Sequence, residues 1–366
     1  MNETEQPVEV NTVIPFGPQH PVLPEPIQLR FTIHQDKVVG VVPNIGYIHR
    51  GIEKACELND YKKNVSLCER VCGICNFMHA MAYCEAVEEL TDTEVPDRAK
   101  YLRVVWSELS RLQSHLLWLG LFADSIGFES LFMHIWRDRE IVLSLNEKTS
   151  GHRIHLSTCA IGGVNKDMDK GLISEYKSGM ELLERRIREL APVFYKDRSV
   201  KDRTVGKGVL PKKRAMLLGA VGPTARGSGI PQDMRRLGYE AYSNLDFEPV
   251  VHDEGDVHAR LLVRLEEVFQ SIRLIKECLE KMPEGPVMNK NRRFPNGATV
   301  VRIEQPRGEL FYNVMGNGTK RLRRCRIRTP TLANIPALVD ILVGYDVSDI
   351  APIVMSVDPC ISCTER

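Results

Sequence analysis

Two pairs of cysteines with the spacing Cys-x-x-Cys lie far apart in this chain of 366 residues. Cys72 and Cys75 stand in the segment ERVCGICNFMH, and Cys360 and Cys363 stand in DPCISCTER at the C-terminus. Four thiolates suit a soft metal ion, and a chain of this length needs no metal to staple its core. We therefore expect a site at the centre of the fold. Spacing alone leaves open structural zinc, an iron–sulfur cluster, a catalytic metal such as nickel, or two unrelated buried pairs.

The composition is that of an ordinary globular chain without a strong charge bias. Hydrophobic residues make up 43%, charged residues 27%, and the formal net charge is +1, so nothing favours nucleic acid as a partner. The polar N-terminus does not resemble a secretory signal, and no run of about 18 apolar residues predicts a membrane span. Ten cysteines without a signal peptide indicate a reducing compartment, where such pairs serve metal or redox chemistry more often than disulfides.

Helical periodicity is the strongest pattern in the rest of the chain. Apolar residues recur at three- and four-residue steps over 97–122 and over 257–279, and Pro283 ends the second pattern. Weaker patterns predict helices over 168–192 and 333–344. Long helices of this kind must form the framework that holds the cysteines.

Short segments predict a small β portion near each end of the chain. Residues 27–43 are interpreted as two strands around a turn, and 298–305 with 310–316 as a second pair. Residues 1–14 are expected to be a loose leader, and the basic segment 321–328 a solvated face or a partner contact. The predicted fold class is mainly α, within the α+β class.

The residues that flank the cysteines are more specific than the spacing. They fit the patterns RxCGxCxxxH and DPCxxCxxR, which resemble the two cysteine motifs of [NiFe]-hydrogenase large subunits. Other segments resemble motifs that energy-converting hydrogenases share with the quinone-site subunit of respiratory complex I. These segments are FGPQHPV (16–22), RGIEK (50–54), ELSRLQSHLL (108–117), GPTARGSGI (222–230), GDVHARLLVR (255–264) and EQPRGEL (304–310).

The chain is thus similar to the large, catalytic subunit of group 4 energy-converting [NiFe]-hydrogenases of the Ech type, and to the homologous 49 kDa-type subunit of complex I. FGPQHP and the terminal Arg366 favour the energy-converting branch, because soluble hydrogenases have a different N-terminal motif and end in His. The resemblance implies the hydrogenase large-subunit fold as a single domain over 1–366. Its metal-binding motifs would lie at 69–79 and 358–366.

The resemblance also implies a nickel–iron centre held by the four cysteines. Cys75 and Cys363, the second of each pair, would bind both nickel and iron, whereas Cys72 and Cys360 would bind nickel alone. The iron would carry carbonyl and cyanide ligands. Thiolates are soft donors that allow nickel to change its oxidation state, which is why this chemistry needs cysteine. The alternative is a zinc site built from the same cysteines.

Three further residues match the active-site pattern of the family. His79 follows Cys75 by four residues and would hydrogen-bond a bridging sulfur. Arg307, in the turn Pro-Arg-Gly, resembles an arginine held over the open side of the metal, where a fixed cation would polarise the substrate. Asp358 would hold Arg307 through a bidentate contact. The simpler alternatives are a packed core histidine and a salt bridge in a turn.

Proton transfer requires acid–base groups beside the metal. The resemblance implies that one of the thiolates takes a proton when H₂ is split, and it makes Cys363 a catalytic residue. Glu25 follows the GPQHP loop where this branch carries a proton-relay glutamate, and His20 in the same loop would assist it or structure the loop. A solvated loop glutamate is the alternative interpretation of Glu25.

Glu53 resembles a glutamate that, in soluble hydrogenases, binds a magnesium or iron ion together with a C-terminal histidine. Arg366 replaces that histidine here, which predicts an ion pair between Glu53 and Arg366 in place of the metal. His115 is expected to have a packing or supporting role, because Ser114 stands where soluble relatives have aspartate. The cysteines outside the two motifs are expected to be small buried residues: Cys56, Cys68, Cys84, Cys159, Cys278 and Cys325.

The function implied is reversible H₂ formation with ferredoxin, coupled to H⁺ or Na⁺ translocation by other subunits. The partners would be a small subunit with a [4Fe–4S] cluster, a ferredoxin-like electron-transfer subunit, ferredoxin itself and integral membrane ion-translocating subunits. The chain would lie peripherally on the cytoplasmic side of the cell membrane. Two alternatives are a complex I-like quinone-site subunit, which lacks the cysteine quartet, and a structural Cys₄ zinc scaffold.

Overall fold

The computed structural model describes residues 12–21 and 23–366. Its N-terminal sheet is antiparallel and consists of β1 (Thr12–Phe16), β2 (Gln28–His34) and β3 (Lys37–Asn44). The two strands predicted over 27–43 are confirmed, and their turn residues Gln35 and Asp36 have φ values of 46° and 63°. Such left-handed turns match the twist of an antiparallel hairpin.

The leader predicted over 1–14 is wrong for its last residues. Thr12 to Ile14 belong to β1 and pair with Ile33 to Phe31 of β2. The β-branched residues Thr12, Val13 and Ile14 favour an extended edge strand. Residues 1–11 lie outside the described part of the chain.

Helices dominate the remainder, which confirms a mainly helical α+β fold. They are α1 (Ile52–Leu58), α2 (Asn64–Glu69), α3 (Asn76–Thr91), α4 (Asp97–Ser125), α5 (Glu129–Ser150), α6 (Lys170–Lys196), α7 (Arg198–Thr204), α8 (Lys212–Leu217), α9 (Pro223–Arg226), α10 (Val257–Lys281), α11 (Pro330–Leu342), α12 (Ile350–Val357) and α13 (Ile361–Glu365). The predicted helices correspond to α4, α6, α10 and α11. Helix α11 starts earlier than predicted because Pro330 fits the first turn. Helix α5 was not predicted.

The other strands are β4 (Cys159–Ala160), β5 (Gly163–Val164), β6 (Asn296–Gln305), β7 (Gly308–Asn317) and β8 (Leu322–Arg328). The predicted hairpin is confirmed as β6 and β7, joined at the turn that carries Arg307. The basic segment 321–328 is mostly the edge strand β8, whose Leu322, Cys325 and Ile327 are buried while Arg323 and Arg326 are exposed. It is therefore part of the sheet as well as a charged surface.

Helix α4 is the central element of the body. It is buried along most of its 29 residues and packs against α5, α10 and α3. Helix α3 in turn packs against β6 and β7, so the first cysteine motif and the Arg307 turn share one framework. Among the described residues, no helix is both long and apolar enough to cross a bilayer.

The turn that carries Arg307 lies backbone to backbone against Gly222. A Cβ atom on Gly222 would be 2.3 Å from the carbonyl oxygen of Arg307, and one on Gly308 would be 2.7 Å from the nitrogen of Gly222. Their φ values are 65° and 126°, respectively. Only glycine permits this approach, so the pair sets the position of Arg307 relative to α9.

We predict that Gly222→Ala destabilises the fold. The new methyl group must displace the Arg307 carbonyl, in addition to the strain of about 1–3 kcal/mol that a sparsely populated backbone conformation imposes on a non-glycine residue. Gly219→Ala is the control, because Gly219 has a φ of 66° but no neighbouring atom within 4 Å of the added Cβ. Denaturant unfolding should give a lower midpoint for Gly222→Ala. Equal midpoints would contradict the close approach.

Candidate metal centre

The two cysteine pairs meet in the core. The Sγ atoms of Cys72 and Cys360 are 3.4 Å apart, as are those of Cys75 and Cys363. All four residues are at most 2% exposed. The Sγ atoms of Cys72, Cys75 and Cys363 lie within 4.8 Å of one another, a spacing that suits ligands of one metal ion. Among the described residues, this is the one group of Cys, His, Asp and Glu side chains with that spacing.

Hydrogen bonds between threonine side chains and the main chain fix the second pair, Cys360 and Cys363. It lies where α12 ends and α13 begins, and two threonines at the start of α11 hold it. The nitrogen of Cys360 donates to Thr331 Oγ1 at 3.1 Å, and Thr329 Oγ1 donates to the carbonyl of Cys363 at 2.9 Å. Both threonines are buried, so these contacts are shielded from water.

Arg50 joins the two motifs directly. Its guanidinium donates to the carbonyls of Arg70 at 2.8 Å and Val71 at 2.7 Å, just before the first pair, and to that of Ser362 at 3.1 Å within the second. The five N–H donors of an arginine suit such bridging. Arg50 is part of the segment RGIEK, but the sequence did not reveal this role.

The last two residues anchor the C-terminus. The carboxylate of Glu365 accepts hydrogen bonds from the nitrogens of Gly46 and Ile48, both at 2.5 Å. Arg366 Nε lies 3.0 Å from Glu53 Oε1, so the predicted ion pair is present. The end of the chain is thus attached to the segment that precedes α1 and to α1 itself.

Arg307 is buried beside the thiols and is held by Asp358. Its Nη2 lies 2.8 Å from Asp358 Oδ1, and its Nε donates to the carbonyl oxygen of Asp358 at 2.9 Å. The bidentate contact therefore uses one carboxylate oxygen and one main-chain oxygen of Asp358, whose backbone is left-handed with φ 57°. Arg307 Nη1 and Asp358 Oδ2 are buried without a hydrogen-bond partner among the described residues.

His79 touches the cluster as predicted from its spacing. Its Nε2 lies 3.4 Å from Cys363 Sγ, and its Nδ1 lies 2.9 Å from the hydroxyl of Tyr312 on β7. Burial lowers the pKa of His79 to about 4. The sequence predicted that His79 contacts a bridging sulfur. In the structure that sulfur belongs to Cys363 and not to Cys75, which precedes His79 by four residues in the sequence.

Glu25 reaches the second cysteine motif from the N-terminal loop. Its carboxylate accepts hydrogen bonds from the nitrogens of Ile361 and Ser362, the latter at 2.9 Å, and from the hydroxyl of Ser362. Glu25 is therefore a part of the cluster's surroundings and not only a solvated loop residue. His20 stacks on Phe16 with ring centroids 3.8 Å apart, and burial lowers its pKa.

Mutual contact and burial shift the pKa values of the thiols in opposite directions. Hydrogen bonds, first from Cys360 and then from Cys363, lower the pKa of Cys72 well below its usual value. Burial raises the pKa of Cys363. A bound cation would favour the thiolate form of all four.

His115 takes part in a different buried group. Its Nε2 lies 2.8 Å from Glu267 Oε2, and Glu267 Oε1 lies 2.7 Å from Arg226 Nη2. Burial lowers the pKa of His115 to about 4. The structure thus gives His115 a partner on α10, and within 12–21 and 23–366 its hydrogen bonds do not lead to the cysteines.

Two protein families match this chain. The family described as respiratory-chain NADH dehydrogenase, 49 Kd subunit, matches residues 125–294 and 289–366. The family described as nickel-dependent hydrogenase matches residues 50–122, which contain the first cysteine pair. Together the matches cover both cysteine motifs and the helical body between them.

Individual relatives are similar over nearly the whole chain. The carbon monoxide-induced hydrogenase of Rhodospirillum rubrum is 42% identical, over 96% of this chain and 99% of the relative. Membrane-bound hydrogenase subunit alpha of Pyrococcus furiosus is 36% identical, over 98% and 88%. NADH-quinone oxidoreductase subunit 4 of Thermus thermophilus is 34% identical, over 96% and 93%. The chain therefore belongs to the family of oxidoreductase subunits that comprises the large subunits of membrane-bound hydrogenases and the 49 kDa subunit of respiratory-chain NADH dehydrogenase.

Proposed function

We propose that this chain is the catalytic subunit of an energy-converting [NiFe]-hydrogenase. The observation that carries the proposal is the convergence of four buried thiols from opposite ends of the chain. The names of two relatives, a carbon monoxide-induced hydrogenase and a membrane-bound hydrogenase, support the same reaction class. The match to the 49 Kd subunit favours a quinone-site role, but such a role does not require a thiol quartet.

The residues present fit a nickel–iron centre. Its ligands would be the four thiolates, with Cys75 and Cys363 shared between the metals and Cys72 and Cys360 on nickel. When bound, such a centre supplies the redox chemistry that interconverts H₂ with protons and electrons. Arg307, with Nη1 unpartnered among the described residues, would present a fixed positive charge beside the substrate.

Glu25 would carry protons between the cluster and the outside of the subunit. Its carboxylate accepts hydrogen bonds from the main-chain nitrogens of Ile361 and Ser362, which lie between Cys360 and Cys363 in the sequence. Glu25 is only partly buried, so its carboxylate would exchange protons with the cluster on one side and with solvent on the other. A positioned carboxylate of this kind typically contributes about 10²–10⁴-fold to a proton-transfer step.

The proposed partners follow from what this chain lacks in its own sequence. The quartet uses both Cys-x-x-Cys pairs, so the electrons require a small subunit with a [4Fe–4S] cluster and a ferredoxin-like subunit that exchanges electrons with ferredoxin. The name of the Pyrococcus furiosus relative supports attachment to integral membrane subunits. Those subunits would translocate H⁺ or Na⁺, and this chain would be peripheral on the cytoplasmic side of the membrane.

We predict that Cys363→Ser abolishes both nickel incorporation and H₂ evolution, because a serine hydroxyl is a poor ligand for a soft metal and the Cys363 thiolate would be shared by both metals. Cys278→Ala is the control: Cys278 is equally buried but lies on α10, outside both motifs. Nickel per chain and H₂ evolution are measured on the same anaerobic sample. Full activity of Cys363→Ser would overturn the site assignment.

We predict that Glu25→Gln slows H⁺/D₂ exchange by about 10²–10⁴-fold while the nickel content stays unchanged. The amide keeps the shape of the side chain but cannot transfer a proton. Glu365→Gln is the matched control, because Glu365 also accepts two main-chain N–H groups near the second motif. Exchange that is equally slow in both variants would show that anchoring, and not proton transfer, is the role of Glu25.

A further inference from the structure

Both ring nitrogens of His79 have fixed partners in the core. Nε2 lies 3.4 Å from Cys363 Sγ, and Nδ1 lies 2.9 Å from the hydroxyl oxygen of Tyr312. His79 and Tyr312 are both 0% exposed. Tyr312 belongs to β7, the strand that follows the Arg307 turn. A short hydrogen-bonded path therefore connects the sheet to one sulfur of the cluster.

Donor and acceptor chemistry sets the direction of this path. A cysteine that binds a metal is a thiolate, which accepts a hydrogen bond and cannot donate one. His79 must then carry its proton on Nε2, and the other nitrogen of a neutral imidazole, Nδ1, can only accept. The Tyr312 hydroxyl is the donor that meets this requirement. Burial raises the pKa of Tyr312 well above its usual value, so the phenol keeps its proton.

We propose that Tyr312 is a positioning residue that holds His79 in its Nε2–H tautomer and keeps the hydrogen bond of His79 on the Cys363 sulfur. The inference rests on the proposed function, because it concerns a sulfur shared by nickel and iron. Hydrogen bonds of this kind orient metal ligands and tune the metal from outside its ligand sphere. Without the hydroxyl, His79 is free to move its proton to Nδ1 or to rotate.

The test is infrared spectroscopy of the complex that carries Tyr312→Phe. Loss of the N–H donor leaves more electron density on the sulfur, so the carbonyl band of the iron should shift to lower wavenumber. H₂ evolution should fall by about 10–100-fold, and nickel per chain should stay unchanged. Tyr176→Phe is the control, because it removes a buried hydroxyl that lies 2.5 Å from Thr149 Oγ1, between α5 and α6.

A double substitution shows whether Tyr312 acts through His79. If it does, adding Tyr312→Phe to His79→Leu should move the carbonyl band no further than His79→Leu alone. Additive shifts, or an unshifted band in Tyr312→Phe, would overturn the inference. If Tyr312→Phe does not load nickel, Tyr312→Met replaces it, because this variant removes the same hydroxyl. A band at the unsubstituted position in Tyr312→Met would then overturn the inference.

Different results would overturn the proposed function and the role of Tyr312. An unsubstituted complex without nickel and without carbonyl or cyanide bands would overturn the proposed function, and this inference with it. An unsubstituted complex with those bands, whose carbonyl band stays in place in Tyr312→Phe, would overturn only the role of Tyr312.

Discussion

The guanidinium of Arg307 and the four thiols of the cysteine motifs are buried together. The surrounding structure must offset the free energy lost when the charge of Arg307 is removed from water. A charge removed from water must be paired or hydrogen-bonded. Desolvation opposes the charge of Arg307, but Asp358 and the thiols outweigh it and raise the pKa of Arg307. One side of the guanidinium is satisfied by Asp358, while its Nη1 is left without a partner among the described residues. This is the geometry expected where a cation is to act on a small substrate.

Arg307 must be held in place beside the thiols, and sequence motifs far from the cysteines contribute to this. Arg111 on α4 donates to two successive main-chain carbonyls at the end of β6, at 2.9 and 3.1 Å. Arg226 on α9 lies 2.7 Å from Glu304, also at the end of β6, and burial raises the pKa of Glu304 to about 7. Both arginines are fully buried. They fix the end of the hairpin that adjoins the Arg307 turn, so the helical body positions the residue that faces the thiols.

The sequence predicted elements with a clear period or a specific motif, and missed those defined by tertiary contacts. Helix α4 was predicted because its apolar residues repeat over many turns, whereas α5 is less apolar overall, buries fewer of its residues and became visible only in the packed structure. The partners Asp358 for Arg307 and Arg366 for Glu53 were predicted because residue types and motif positions constrain them. Arg50 was missed because its partners are main-chain carbonyls. Every residue has such a carbonyl, so the residue types in the sequence do not reveal which ones Arg50 binds. Tyr312 was missed because its role depends on which strand lies beside α3.

Infrared spectroscopy of the complex, purified without oxygen after production with its maturation proteins, tests the central claim most directly. Nickel is quantified on the same sample. Bands of iron-bound carbonyl and cyanide between the amide and C–H regions, together with stoichiometric nickel, are the predicted result. Stoichiometric zinc with no such bands would contradict the account and would make the four cysteines a structural site.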